Sequence, residues 1–201
     1  MKEGAGLDHL AIAWQYSGQP RVVIPAEFSR VLNPSLAGTT LDTWTGISGN
    51  SIANLMSGTN NLAKLPDRSE RLIYSLEAPS NIGDNYGSRM KGWLLPPITG
   101  NYSFWIASDD NGEFWLSTDS NPANKVLECY QPWSAPSKDW TRFPEQKSRP
   151  ISLVAGRAYY YEVRDCVVSH LLNHVASASP VPMILMQYGA SYAHLLCTRL
   201  S

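Results

Sequence analysis

Two aspartates stand side by side at Asp109-Asp110, inside "SDDNGEF", and they are the sharpest chemical feature of the chain. Hard carboxylate oxygens suit Ca2+, which takes about six to eight oxygen ligands, so two aspartates begin such a site without completing it. The same stretch also suits a tight hairpin, with Asn111-Gly112 tolerating positive φ and Asp109 capping the turn. Both readings stand on the residues alone. Trp133 and Trp140, in "YQPWSAPSKDWTRF", lie in a stretch rich in proline and serine, and Trp115 follows the aspartates closely. An exposed tryptophan offers a flat apolar face to the C–H groups of a sugar, whereas a buried one would cover the open end of a β-barrel. His170 and His174, in "HLLNH", have the i, i+4 spacing of a helical metal pair, but the sequence positions no third ligand beside them.

The chemistry the residues do not offer narrows the function. There is no nucleophile elbow, phosphate-binding loop or spaced carboxylate pair. Adjacent carboxylates are poorly placed to work as acid and base across one bond, so the chain is expected not to be an enzyme. A formal net charge of −1 gives no field that would gather nucleic acid or an anionic membrane. Cys129, Cys166 and Cys197 are odd in number and widely spaced, which argues against a zinc site or a disulfide framework and leaves open one disulfide with a spare thiol. The late apolar run "VPMILM" is too short to span a bilayer and contains Pro182. No apolar segment follows Lys2 and Glu3 as a signal peptide would require.

The elements that must position these residues are strands. A hydrophobic content of 43% is enough for a packed core. Residues 1–25 read as loop, strand ("LAIAW"), turn and strand ("RVVIP"); residues 26–42 hold Pro34 and Gly38 with little periodicity and read as a linker. The middle of the chain is the most patterned. In "GSRMKGWLLPPITGNYSFWIASDDNGEFWLSTD", Met90 and Leu94, then Tyr102, Phe104 and Ile106, then Phe114 and Leu116, recur at period two between short turns. Aromatic and β-branched residues in that pattern predict antiparallel meanders. "RPISLVAGRAYYYEV" repeats the device, with Ala155-Gly156 as its turn. The expected fold is therefore all-β, an antiparallel β-sandwich or barrel, with an irregular or partly helical C-terminal tail. That tail, residues 164–201, has no alternation and no carboxylate after Asp165.

The run from "NYGSRMKGW" to "YYYEV" resembles the PA-14 domain, a β-sandwich family of binding and adhesion modules attached to other domains. The resemblance covers roughly residues 43–163. It implies that "MKEGAGLDHLAIAWQ" in residues 1–25 is similar to the last strands of a preceding copy, and that residues 43–163 lack their own final strands. On this reading the tail is unrelated to the domain, as a shifted reading frame after Val163 would produce. The N-terminal strand is then available to fill the vacant place, and Leu10–Trp14 is expected to pair with Tyr159–Val163. In the calcium-dependent adhesin branch of the family, paired aspartates joined by a cis peptide hold Ca2+ beside the sugar. The resemblance thus implies Asp109 and Asp110 as calcium ligands, with Asp8 returned beside them if the N-terminal strand closes the barrel. Trp115, Trp133 and Trp140 are the candidate glycan contacts. The implied function is a non-catalytic carbohydrate-binding or adhesion module of a larger extracellular protein, with a glycan and neighbouring domains as its partners. The alternatives are a structural spacer with no ligand of its own and a truncated fragment.

Overall fold

The stretches with period-two alternation become strands, and in the computed structural model, which describes residues 8–31 and 36–167, strands are the dominant regular structure. In chain order these are β1 (Leu10–Tyr16), β2 (Val22–Val23), β3 (Ser29–Arg30), β4 (Thr39–Thr45), β5 (Arg68–Leu72), β6 (Tyr86–Leu94), β7 (Gly100–Ser108), β8 (Asn111–Ser117), β9 (Lys125–Gln131), β10 (Ile151–Leu153) and β11 (Tyr159–Val167). Among the described residues there is a single α-helix, α1 (Ile52–Ser57), which starts where the Ser51 hydroxyl accepts the Asn54 N–H and the Asn54 side chain accepts the Ser51 N–H at 3.1 Å. Among the described residues no helix is long and apolar enough to cross a membrane.

The strands form two sheets, one ordered β10-β7-β1-β2 and the other β5-β4-β6-β11-β8-β9, with β3 added on β6. All named pairings are antiparallel. Inward-facing residues of both sheets make one core: Leu10, Ile12 and Trp14 of β1 and Phe104 and Ile106 of β7 meet Met90, Phe114, Tyr161 and Val163 of the other sheet. Each such side chain contributes roughly 1.5–3 kcal/mol on burial. A smaller cluster of Trp44, Ile47, Ile52, Leu55 and Cys166 packs α1 on the outer face of the second sheet. The expected all-β sandwich is the fold observed.

The connections differ from the meander expected above. β6, β7 and β8 alternate between the sheets, as do β10 and β11, so "PPITGN", "DDNG" and "VAGR" are arches from one sheet to the other and not hairpins. A strand that crosses and a strand that turns back show the same period-two pattern, so the pattern cannot tell them apart. The N-terminal strand docks, but on a different partner from the one expected. All seven residues of β1 pair with β7, from Leu10 opposite Ser108 to Tyr16 opposite Tyr102. β11 is already flanked on both sides, by β6 and β8, so Tyr159–Val163 has no free edge to offer. The linker assigned to residues 26–42 carries β3 and the first residues of β4. β11 continues through Val167, because Asp165, Cys166 and Val167 still pair with Ser88, Gly87 and Tyr86; the expected break at residue 164 is therefore absent. His170, His174, Cys197 and the rest of the tail beyond Val167 lie outside the described residues.

Candidate functional site

Asp109 and Asp110 are the two residues that carry the chain from β7 to β8, and both are buried, at 2% and 7% exposure. Asp110 takes φ +58°, a left-handed conformation that aspartate tolerates better than most side chains. The positive φ thus falls on Asp110 and not on Asn111-Gly112, which already belong to β8. Among the described residues no peptide bond is cis, so the aspartates are joined by a trans bond, unlike the pair the adhesin resemblance implies. The arch is held from several sides. Asp109 N–H donates to the His9 carbonyl at 3.0 Å, and the Ser108 hydroxyl donates to the Asp110 carbonyl at 3.2 Å. Fully buried Gln131 accepts from Ser108 N–H at 3.1 Å and donates back to the Ser108 carbonyl, while Gln146 donates to Gln131 Oε1 at 2.8 Å. Gly112 is needed for close approach, since a Cβ there would press into the Ser108 hydroxyl.

The bond from Asp109 to His9 brings the start of β1, and with it Asp8, to this arch. Asp8 is 5% exposed, and its Oδ2 accepts from Gly83 N–H at 3.3 Å. Burial raises its carboxyl above the usual range; the Gly83 bond opposes that, while Asp109 and Asp84 push it further up. A fourth carboxylate, Asp165, comes from β11, in register with Gly112. It shares the core-facing side of its strand with Tyr161 and Val163, is fully buried, and has neither carboxylate oxygen hydrogen-bonded. Burial drives the Asp165 carboxyl well above its ordinary range, and the charges of Asp109, Asp110 and Asp8 add to the effect. The Cys166 amide opposes that rise without reaching hydrogen-bond geometry. Tyr86 senses the same charges: burial first, then Asp165, Asp8 and Asp109, raise its phenol. Four aspartates from three separate stretches of chain therefore meet at one end of the sandwich. Among the described residues, no three His, Cys, Asp or Glu side chains are grouped closely enough to hold a metal ion, so a cation here would have to draw the four carboxylates together.

The three tryptophans part company. Trp133 is 66% exposed; its carbonyl accepts from Gln131 Nε2 at 2.9 Å, and the hydroxyl of the next residue, Ser134, donates to Asp109 Oδ1 at 2.8 Å. It therefore stands beside the aspartate arch. Trp140 is half-buried with the Arg21 guanidinium 5.9 Å from its ring centroid. Trp115 lies on the outer face of β8, donates to Glu113 at 2.9 Å and is covered by Arg164 at 5.0 Å. Only Trp133 joins the aspartates. Sequence reasoning missed Asp165, although one signal was present: in "YYYEVRD" the alternation Tyr159, Tyr161, Val163 ends on a carboxylate where an apolar residue would continue it. Ser134 and Gln131 left no such mark.

Residues 66–165 match the PA14 domain, a stretch that takes in Asp109, Asp110 and Asp165. They belong to the PA14 domain family. Strand β1, although it lies before the matched segment, is part of the same sandwich. The chain is also 43% identical over 84 residues to N-acetyl-beta-glucosaminyl-glycoprotein 4-beta-N-acetylgalactosaminyltransferase 1 of Mus musculus, covering 39% of this chain and 8% of the relative. It is 32% identical over 109 residues to Fibrocystin-L of Homo sapiens, covering 54% of this chain and 2% of that protein. Fibrocystin of Canis lupus familiaris is 28% identical over 91 residues, again 2% of its length. The chain thus spans a small fraction of each of these relatives, the proportion expected where a PA14 domain is one module among others.

Proposed function

We propose that this PA14 domain is a non-catalytic, carbohydrate-binding module of a larger extracellular protein, and that its aspartate arch holds Ca2+. The observation that carries the reading is Asp165. A carboxylate buried without a hydrogen bond is costly, by about 1–3 kcal/mol on mutational scales, and three further aspartates nearby raise that cost. A hard divalent cation relieves all four at once, and aspartate oxygens are the donor type that Ca2+ prefers. Asp109, Asp110 and Asp165 are the residues that would hold it, with Asp8 closing the set from the N-terminal strand. The bound ion would supply a positive centre able to take sugar hydroxyls, and Trp133 offers an exposed aromatic face next to it. The name of the mouse relative describes action on N-acetyl-β-glucosaminyl glycoproteins, which supports a glycan as the partner class. Adhesion follows on this reading if the glycan sits on a cell surface.

The test is isothermal titration of the EDTA-stripped chain with CaCl2, followed by a glycan array probed in calcium and in EDTA. Calcium binding abolished by Asp109→Asn with Asp110→Asn, and array signals lost in EDTA and in Trp133→Ala, are the expected results. Heat of calcium binding unchanged in the double variant would remove the ion from the arch. Array binding that survives both EDTA and Trp133→Ala would place the sugar elsewhere. A chain that binds neither calcium nor any glycan is the structural spacer. That second reading draws on Trp115 and Trp140, whose faces are already occupied by Arg164 and Arg21.

A further inference from the structure

β7 runs from Gly100 to Ser108, and the aspartate arch lies at its Ser108 end. At the Gly100 end, where Leu153 of β10 pairs with Gly100, a cavity of about 200 Å3 opens between the sheets. Leu116, Leu153 and Tyr159 give it an apolar floor, and Glu128, Arg149 and Arg157 line it with charge. The charges are imperfectly matched. The Glu128 side chain is only 6% exposed, whereas Arg149, its ion-pair partner, is 72% exposed and reaches its two oxygens only at 3.4 Å through Nε and Nη2. Among the described residues Arg157 has no carboxylate within ion-pair distance. Its guanidinium stands 5.6 Å from the centroid of the Tyr159 ring. That ring is fixed in turn, because the Tyr159 hydroxyl accepts the Val154 N–H at 3.0 Å. Two guanidiniums therefore face one carboxylate in a chain whose net charge is −1.

Each part of this lining has a counterpart in one kind of ligand. A guanidinium fork matches the two oxygens of a carboxylate, and an arginine without an internal partner is free to make that match. A nearly buried carboxylate such as Glu128 accepts hydroxyl donors. At ~30 Å3 per water, the cavity has room for several waters or for a single sugar ring in their place. We propose that this cavity binds a hexuronate residue of an acidic glycan, with Arg157 and Arg149 on the sugar carboxylate and Glu128 taking its hydroxyls. The site is separate from the aspartate arch and does not depend on calcium.

The experiment is an NMR titration of the 15N-labelled full chain with methyl β-glucuronide in EDTA, so that the arch plays no part. Methyl β-glucoside and sodium sulfate serve as the neutral and the inorganic controls. The glucuronide is expected to shift the amides of Ser152–Val154 and Arg157, with the glucoside and the Arg157→Gln variant at least about tenfold weaker, or about 1.4 kcal/mol. Glu128→Gln frees Arg149 and removes a negative charge, so it is expected to tighten sulfate, whereas the preference for glucuronide over sulfate should fall as the hydroxyl acceptor weakens. Three results would overturn the proposal: no shift at these amides, equal affinity for glucoside and glucuronide, or sulfate binding as tightly as glucuronide. The last would reduce the cavity to a simple anion hole. None of the three bears on whether the arch holds calcium, which is read separately by calorimetry.

Discussion

Asp165→Val extends the core-facing row of Tyr161 and Val163 by one more apolar residue and removes the buried carboxylate that no hydrogen bond satisfies. In EDTA the wild-type chain must keep that group buried at a cost of about 1–3 kcal/mol, so the valine variant should be more stable by about that amount. At ~2–4 °C per kcal/mol for a chain of this size, its Tm should rise by about 2–12 °C. Calcium reverses the comparison. At about a hundred times its dissociation constant, the ion stabilises the wild type by roughly 2.7 kcal/mol, or about 5–11 °C, and the variant, lacking a central ligand, should gain little. Paired melts by calorimetry or circular dichroism, in EDTA and in millimolar CaCl2, read both effects. A variant that melts below wild type in EDTA would mean that the Asp165 carboxylate is satisfied and stabilising. A variant that keeps the full calcium gain would exclude Asp165 from the site.

Gln131→Leu should destabilise the domain by about 2–4 kcal/mol in urea unfolding, because the Ser108 backbone and the Trp133 carbonyl lose their buried partner. The emission of Trp133 should shift with it, and a loss below about 0.5 kcal/mol would show that the arch is not held by this side chain. Trp14→Ala should cost about 3–5 kcal/mol, since the ring is 1% exposed and packs on Tyr16, Phe28 and Tyr102; a near-neutral result would mean that β1 is not docked. Ion-paired carboxylates should lose their stabilising contribution in acid, whereas the carboxyls raised by burial, Asp165 and Asp8, act in the opposite sense. Burial alone would raise the Asp42 carboxyl, but hydrogen bonds from Lys91, Arg89 and Ser69 outweigh it and hold it below the usual range. Glu162 is depressed in the same way, burial being outweighed by Arg164 and Lys125. A depressed carboxylate contributes stability that is fully present above its unfolded value, near ~4, and is lost as pH falls through the folded value. The gap in urea midpoint between wild type and Asp42→Asn should therefore be wide at pH ~7 and narrow at pH ~3; equal gaps would contradict the ion-pair account.

Strand positions were legible because alternation is local. Tyr102, Phe104 and Ile106 point inward for the same reason that any half-buried strand alternates, and the all-β class followed from that. Pairing was not legible. Whether "DDNG" folds back on β7 or crosses to the other sheet depends on which distant strands flank it, and nothing within four residues carries that information. The same limit explains β1: "LAIAW" was readable as a strand seeking a partner, but β11 being enclosed by β6 and β8, and β7 being open, is a property of the whole sandwich. Asp109 and Asp110 announced themselves by adjacency, whereas Asp165 became conspicuous only once its strand was seen to aim it inward without a partner.

The place of β1 also sets an order of events during synthesis. Its partners on β7 lie about 90 residues further along the chain, so β1 is complete long before its docking site on β7 exists. At ~5–20 residues per second, that delay lasts roughly 4–20 s. β2 can cover one edge at once, with Ala13 opposite Val23, but the edge that belongs to β7 stays open throughout, and "LAIAW" is an apolar, β-prone segment of the kind that recruits strands from other chains. The charged and turn-forming residues around it, from Lys2 and Glu3 through Asp8 to Gly18, Pro20 and Arg21, flank that segment as gatekeepers. Yield of soluble protein should therefore depend on how quickly β7 follows β1 from the ribosome, with chaperone capacity deciding the fate of chains that stall between them.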